Sequence, residues 1–169
     1  MGRMRPILFS TPMVQAILEG RKTQTRRIKY KCEVGDVLWV RESFIPLGKD
    51  PDTGKHVIWC YKADGSRPCD ERGVGRWNPS LFMPRKAARI FLLVKAVRVE
   101  RLQDITASDC IEEGILEPQK APAVARMFMR LDFKKLWDGI NAKRGYSWES
   151  NPFVKVIEFE PIKNYGGSL

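Results

Sequence analysis

Apolar residues recur along this chain in two periods, and the changes of period mark its elements. Ile7 to Phe9 is a short apolar run that predicts a strand. Ser10-Thr11-Pro12 then reads as a helix start, with Thr11 as candidate cap and Pro12 at the first helical position. Met13, Ala16 and Ile17 follow at helical spacing, and Gly20 offers a left-handed stop. Val34-Gly35-Asp36 predicts a turn, and the β-rich run Val37 to Glu42 predicts a strand after it. Residues 46–80 lose both periods and are punctuated by Pro46, Gly48, Pro51, Gly54, Gly65, Pro68, Gly73 and Gly75. They read as an insertion holding one short hairpin around Val57 to Tyr61.

Regular patterning returns at Met83-Pro84-Arg85. Arg89 to Arg101 is apolar and rich in β-branched residues, which predicts a long strand near the centre of a sheet. Thr106-Ala107-Ser108-Asp109 has the form of a capping box with Asp in place of the usual Glu or Gln, opening a brief helix that stops at Gly114. After Pro122, the residues Val124, Met127, Phe128, Leu131, Phe133, Leu136, Trp137 and Ile140 form a helical stripe expected to face the core. Asn151-Pro152 leads into a last strand, Phe153 to Phe159, and residues 163–169 read as a tail. Few strands, an early helix between the first two and short helices at one end predict a single α+β, barrel-like domain over residues 1–162.

The charge adds a partner class. Lys and Arg number 30 against 20 acidic residues, a formal net charge of +10. A balance this basic attracts polyanions, nucleic acid above all. No apolar run approaches the ~20 residues that cross a bilayer, and no secretory signal opens the chain, so a soluble, cytoplasmic protein without a membrane partner is expected. The cysteines Cys32, Cys60, Cys69 and Cys110 form no CxxC pair. Cys60, Cys69 and His56 are the one conceivable metal set. Free, mostly buried thiols are the better reading, and nothing points to a metal or organic cofactor.

The densest chemistry lies in Gly20-Arg21-Lys22-Thr23-Gln24-Thr25-Arg26-Arg27, where four of eight residues are cationic and two carry hydroxyls. Placed at a helix end, such a set suits an anionic or polar ligand: arginine forks engage phosphate or carboxylate, and hydroxyls add shorter bonds. An exposed basic turn is the alternative. Thr25 can serve as a nucleophile with Lys22 as its base if a cleft and the neighbouring Arg21, Arg26 and Arg27 lower the lysine pKa. A regular strand over 21–27 would instead send Lys22 and Thr25 to opposite faces.

At these residues the sequence resembles a known family. The segments FSTPMVQAILEGRKTQTRR, GDVLWVRESF, WNPSLFMPRKAARIFL, RLQDITASDCIEEGI, LWDGIN and WESNPFVKVIEF together resemble the ASCH family, in particular its phage and prophage members. The resemblance implies an α+β, PUA-like small β-barrel flanked by short helices, with a cleft and a general association with RNA. Some members are hydrolases. One bacterial branch hydrolyses the acetyl amide of N4-acetylcytidine, and its motif matches here at Lys22, Thr25 and Arg27, with a later glutamate matching Glu113. That match makes Lys22, Thr25 and Glu113 the catalytic candidates. Glu113 ends its short helix, where the dipole disfavours a carboxylate and would raise its pKa, suiting a general acid; Glu112 is the candidate one register away. Ribonuclease activity, or a non-catalytic RNA-binding or phage accessory role, is the alternative that the resemblance leaves open.

Four further residues complete the candidate surface. Trp39 and Trp137 read as structural, whereas Trp59, Tyr61 and Trp77 in the insertion can stack on a base. Arg85, in the turn before the long strand, is a candidate phosphate contact or a salt bridge supporting that turn. RNA or a modified nucleoside, held by Arg21, Arg26, Arg27, Arg85 and Trp77, is the expected partner.

Overall fold

The apolar run after Arg89 becomes the strand on which the sheet is built. The computed structural model describes residues 2–49, 52–54, 56–65, 69–70, 73–74, 76–115 and 123–163. In chain order the elements are β1 (Met4–Leu8), α1 (Thr11–Leu18), β2 (Gln24–Arg27), β3 (Val37–Arg41), β4 (Phe44–Lys49), β5 (His56–Tyr61), β6 (Cys69–Asp70), β7 (Gly73–Val74), β8 (Phe91–Arg101), α2 (Ala107–Glu112), α3 (Ala123–Asn141) and β9 (Phe153–Pro161). Five strands form one sheet in the order β1-β3-β8-β9-β2, so β8 is central, as its pattern predicts. β8 pairs antiparallel with β9 from Leu92 to Arg101, with an irregularity between Val94 and Ala96. β1 and β3 run parallel, which requires a crossover, and α1 with β2 supplies it.

The closed barrel expected from the resemblance is not found among the described residues. β1 and β2 end the strand order at opposite edges and are not paired with each other. The result is a mixed α+β fold: the open five-stranded sheet, the two hairpins β4-β5 and β6-β7, and few helices.

Local signals decide most element ends. The cap of α1 is Ser10, one residue before the expected Thr11, and its side chain makes no capping bond. Pro12 occupies the first turn instead, where a missing N–H costs nothing. Gly20 adopts φ 74° and stops the helix as predicted. The capping box of α2 forms in full: Thr106 Oγ1 accepts from the Asp109 N–H, and Asp109 accepts from the Thr106 N–H.

Two large apolar clusters lie along the sheet, and a smaller third joins Phe44, Met83 and Ala87. One large cluster joins Ile7, Val14 and Ile17 to Leu38, Leu92, Ile157 and Phe159; the other joins Leu102, Cys110, Met129, Phe133, Trp137 and Trp148 to Val154 and Val156. β9 serves both. The α3 stripe is narrower than expected: Met129, Phe133 and Trp137 are buried at four-residue spacing, while Phe128, Leu131 and Ile140 are about half exposed. A helix face one residue wide per turn suffices here, because α3 packs on α2 rather than across the sheet. The side chains of Val124 and Met127 lie outside the described residues, as do the tail beyond Lys163, parts of the 46–80 insertion and two members of the Cys60, Cys69 and His56 set, Cys69 and His56. Cys32 and Cys110 are buried free thiols, and burial pushes Cys110 up to about 11.

Candidate functional site

The site begins with three backbone bonds at the end of α1. After Gly20 turns the chain, the N–H groups of Arg21 and Lys22 both donate to the Ala16 carbonyl, and Thr23 N–H reaches the Glu112 carbonyl at the end of α2. The segment is therefore a bend clamped between two helix ends, and regular strand starts only at Gln24. This resolves the facing problem: Lys22 precedes the alternation of β2, so it and Thr25 line the same cavity.

Gly114 makes the close approach possible. It adopts φ 85°, a left-handed conformation that disfavours side chains, and a Cβ there would sit 2.9 Å from the Ala16 Cβ and 3.2 Å from the Lys22 Cβ. Lys22 can thus reach the end of α2. Its Nζ donates to the carbonyls of Gln24 (2.8 Å) and Glu113 (2.9 Å) and to Glu113 Oε2 (2.7 Å). Three donors meet three acceptors, and only 2% of Lys22 is exposed. Burial, more than any charge, holds its pKa below the ordinary lysine value. The Glu113 carboxylate opposes that shift, and Arg27 and Arg26 add to it.

Glu113 is not the solvated helix end that its position allows. It is 4% exposed, with its carboxylate held between Lys22 and Arg26 Nη1 (3.2 Å). Arg26 is fully buried and also meets Glu100 (2.6 Å) and Asp109 (3.4 Å). Asp109 accepts from Gln24 and from Arg98. Burial would raise its pKa, but the Gln24 bond and the cap contacts with Thr106, with Arg26 nearby, outweigh it and hold the carboxyl down at about 2. Glu112, the alternative candidate, does not line the cavity; burial beside Asp109 and Glu158 raises its pKa.

β2 sorts its side chains by alternation. Gln24 and Arg26 turn to this carboxylate network, whereas Arg27 takes the other side. Arg27 Nη2 donates to the Leu8 carbonyl (2.6 Å), and its guanidinium lies 5.0 Å from the Phe9 ring centre. Lys22 Nζ lies 5.5 Å from that same ring. Thr25 is 4% exposed and lines the cavity between these cations in sequence.

The cavity measures about 500 Å³, within the range that holds a small ligand. Lys22, Thr25, Arg26, Arg27 and Glu113 border one side of it; Phe133, Leu136, Trp137 and Ile140 of α3 border another. The candidate residues 22, 25, 26, 27 and 113 are thus brought together. Arg21 stays outside, bonded to Glu19 and the Gly114 carbonyl. Arg85, exposed in a short turn, and half-buried Trp77 are also outside the lining. Trp59 packs against Phe44, and the Tyr61 hydroxyl donates to the Ala87 carbonyl, so neither borders the cavity. Sequence reasoning missed Phe9, Asn141 and Arg144, which line it. Asn141 and Arg144 had a signal, since they continue the Phe133–Trp137 face at i+4 and i+7 from Trp137.

No family model and no curated protein matches this sequence. Among solved structures, the fold is similar to that of a DUF984 protein from Enterococcus faecalis, with a TM-score of 0.50 at 10% identity, over 96% of this chain and 77% of that one. An ASCH domain from Lactobacillus crispatus aligns with a TM-score of 0.46 at 12% identity, over 94% of this chain and 79% of that one. At such identities a likeness concerns the fold alone. No described helix is long and apolar enough to cross a membrane.

Proposed function

We propose that this chain is an ASCH-type hydrolase that takes a modified nucleoside, free or as a single unstacked nucleotide of RNA, into the cavity and cleaves an amide of the N4-acetylcytidine kind. The observation that carries the reading is the buried Lys22–Glu113 contact beside Thr25 on one cavity wall. The sequence resemblance points to the same three residues, Lys22 and Thr25 within Gly-Arg-Lys-Thr-x-Thr-x-Arg and Glu113 as the later glutamate. A cavity of about 500 Å³ suits a nucleoside rather than a helical RNA segment.

The chemistry follows from where the protons can go. Shifting one proton across the 2.7 Å contact converts the ammonium–carboxylate pair into a neutral amine and a carboxylic acid. Burial favours the neutral lysine. The Lys22 amine then takes the Thr25 proton as its oxygen attacks the amide carbonyl, and Glu113 gives its proton to the departing amine. Water on the resulting ester regenerates Thr25 and releases the acid. Arg26, tied to three carboxylates, keeps Glu113 in place rather than touching substrate.

The test is turnover of N4-acetylcytidine to cytidine by the full chain, read by chromatography. Thr25→Ala is expected to lower kcat by about 10³-fold or more while leaving substrate binding in place. A wild-type protein that binds the compound without cleaving it removes the hydrolase step and leaves a binding module. Full activity in Thr25→Ala removes the nucleophile assignment.

A further inference from the structure

The cavity has two electrostatic halves, and only one is balanced. In the first, Lys22 and Arg26 line the cavity and meet Glu113, which lines it too, and Arg26 is tied further to Glu100 and Asp109 behind the wall. In the second, Arg27 and Arg144 both line the cavity, and neither is in an ion pair with a carboxylate among the described residues. Arg27 Nε is buried with no hydrogen-bond partner among the described residues, although Nη2 of the same guanidinium is bonded to Leu8. Phe9 covers one face of that guanidinium, so new partners must come edge-on.

We propose that Arg27 and Arg144 form an oxyanion subsite, so that the cavity selects a flat-ringed molecule carrying a phosphate or carboxylate over its neutral counterpart. A buried N–H without a partner and two like charges lining one cavity are both unfavourable until an anion lies between them. Burial lowers the Arg27 pKa; the Glu113 carboxylate across the cavity opposes that shift, and Arg144 adds to it, so the two arginines are close enough to act on each other. The ring has its own place. Phe133, Leu136, Trp137 and Ile140 present an apolar wall from α3, and Arg144 follows that wall by less than two turns, after Asn141. Asn141 is 7% exposed and spends one amide N–H on the Trp137 carbonyl, leaving polar atoms for a ring edge. The α3 segment, which lies outside the motif bearing Lys22 and Thr25, would therefore set which ligand the site accepts. The inference rests on the cavity being the ligand site of the reading above, and not on its hydrolytic step.

Calorimetry on the full chain with compounds that hold no amide to cleave separates the two. Cytidine, cytidine 5′-monophosphate and orotate supply ring alone, ring with phosphate, and ring with carboxylate. At least one anion is expected to bind about tenfold or more tighter than cytidine, with an advantage that shrinks as salt is raised. Whichever anion wins identifies the oxyanion. Arg144→Glu should abolish the preference and Arg144→Lys should keep part of it; Arg144 is exposed, so both variants should keep the wild-type melting temperature. Equal binding of all three compounds, binding of none, or an anion preference that survives Arg144→Glu overturns the subsite. Loss of acetylcytidine turnover in Thr25→Ala with the anion preference intact would leave it standing.

Discussion

Two buried ion contacts join distant parts of this chain, and they differ in what their proton can do. Lys22 meets Glu113 across 91 positions, and Arg89 meets Glu42 across 47. Both carboxylates are nearly inaccessible, Glu113 at 4% and Glu42 at 1%. Arg89 clasps Glu42 with two parallel bonds of 2.9 and 3.1 Å, touches Asp64, and lies 4.0 Å from the Tyr61 ring centre. A guanidinium does not give up its proton under ordinary conditions, so this clasp ties the residue after β3 to the turn after β5 and the approach to β8 without offering a proton. A lysine held below its usual pKa beside a cavity can give its proton up. Burial of an ion pair is therefore a poor sign of a site by itself; the identity of the cation and an adjoining void decide.

The sharpest way to break this contrast is to remove each carboxylate in turn. Glu113→Gln strands Lys22 at a buried position, with a loss on the order of 3 kcal/mol in urea denaturation, capped because Lys22 can neutralise itself. Glu42→Gln should cost less than about 1 kcal/mol. Arg89 keeps Asp64 and is about a quarter exposed, and burial already biases Glu42 toward its neutral form. Equal losses would mean that the two pairs are alike.

A smaller effect tests how Lys22 reaches its partner. Gly114→Ala places a Cβ at φ 85° and 2.9 Å from Ala16, and should destabilise by about 1–2 kcal/mol. It should also lower turnover, because the end of α2 must move away from Lys22. Unchanged stability would show that this approach is not as close as described.

The smallest effect is the response to acid, where the two clusters differ in sign. The folded pKa of Asp109 is depressed to about 2 from an ordinary 3.8. Its contribution is present above the unfolded value and is lost as pH falls from about 4 to about 2. Discounted for the solvent that reaches it, this amounts to on the order of 1 kcal/mol. Glu42 has a raised folded pKa, so its contribution is largest below the unfolded value of 4.5 and declines as pH rises through the folded one. Asp109→Asn should flatten the acid limb of the stability profile, and Glu42→Gln should steepen it; limbs that move together would refute the assignment.

Local chemistry was readable from residue order. The Pro12 helix start, the Gly20 stop, the Thr106–Asp109 box and the central strand each depend on neighbours within a few positions, and each forms. The candidate cluster at 20–27 was visible as composition, and resemblance linked Glu113 to it. Residue order could not say whether Lys22 and Thr25 share a face, because that depends on Thr23 bonding to the end of α2, nearly ninety residues away. It also assigned the α3 stripe to the core alone, although Leu136 and Ile140 border the cavity beside the buried Phe133 and Trp137.

What the sequence by itself determined are the helix and strand propensities, the helix ends and the kinds of charge available, since periodicity and capping act over a turn or two. Tertiary structure decided the rest. Among the described residues it left the five-stranded sheet open, paired Lys22 with Glu113 and gave Arg27 no ion pair. These outcomes depend on which distant groups share a desolvated space, where a charge must find a partner or shift its pKa.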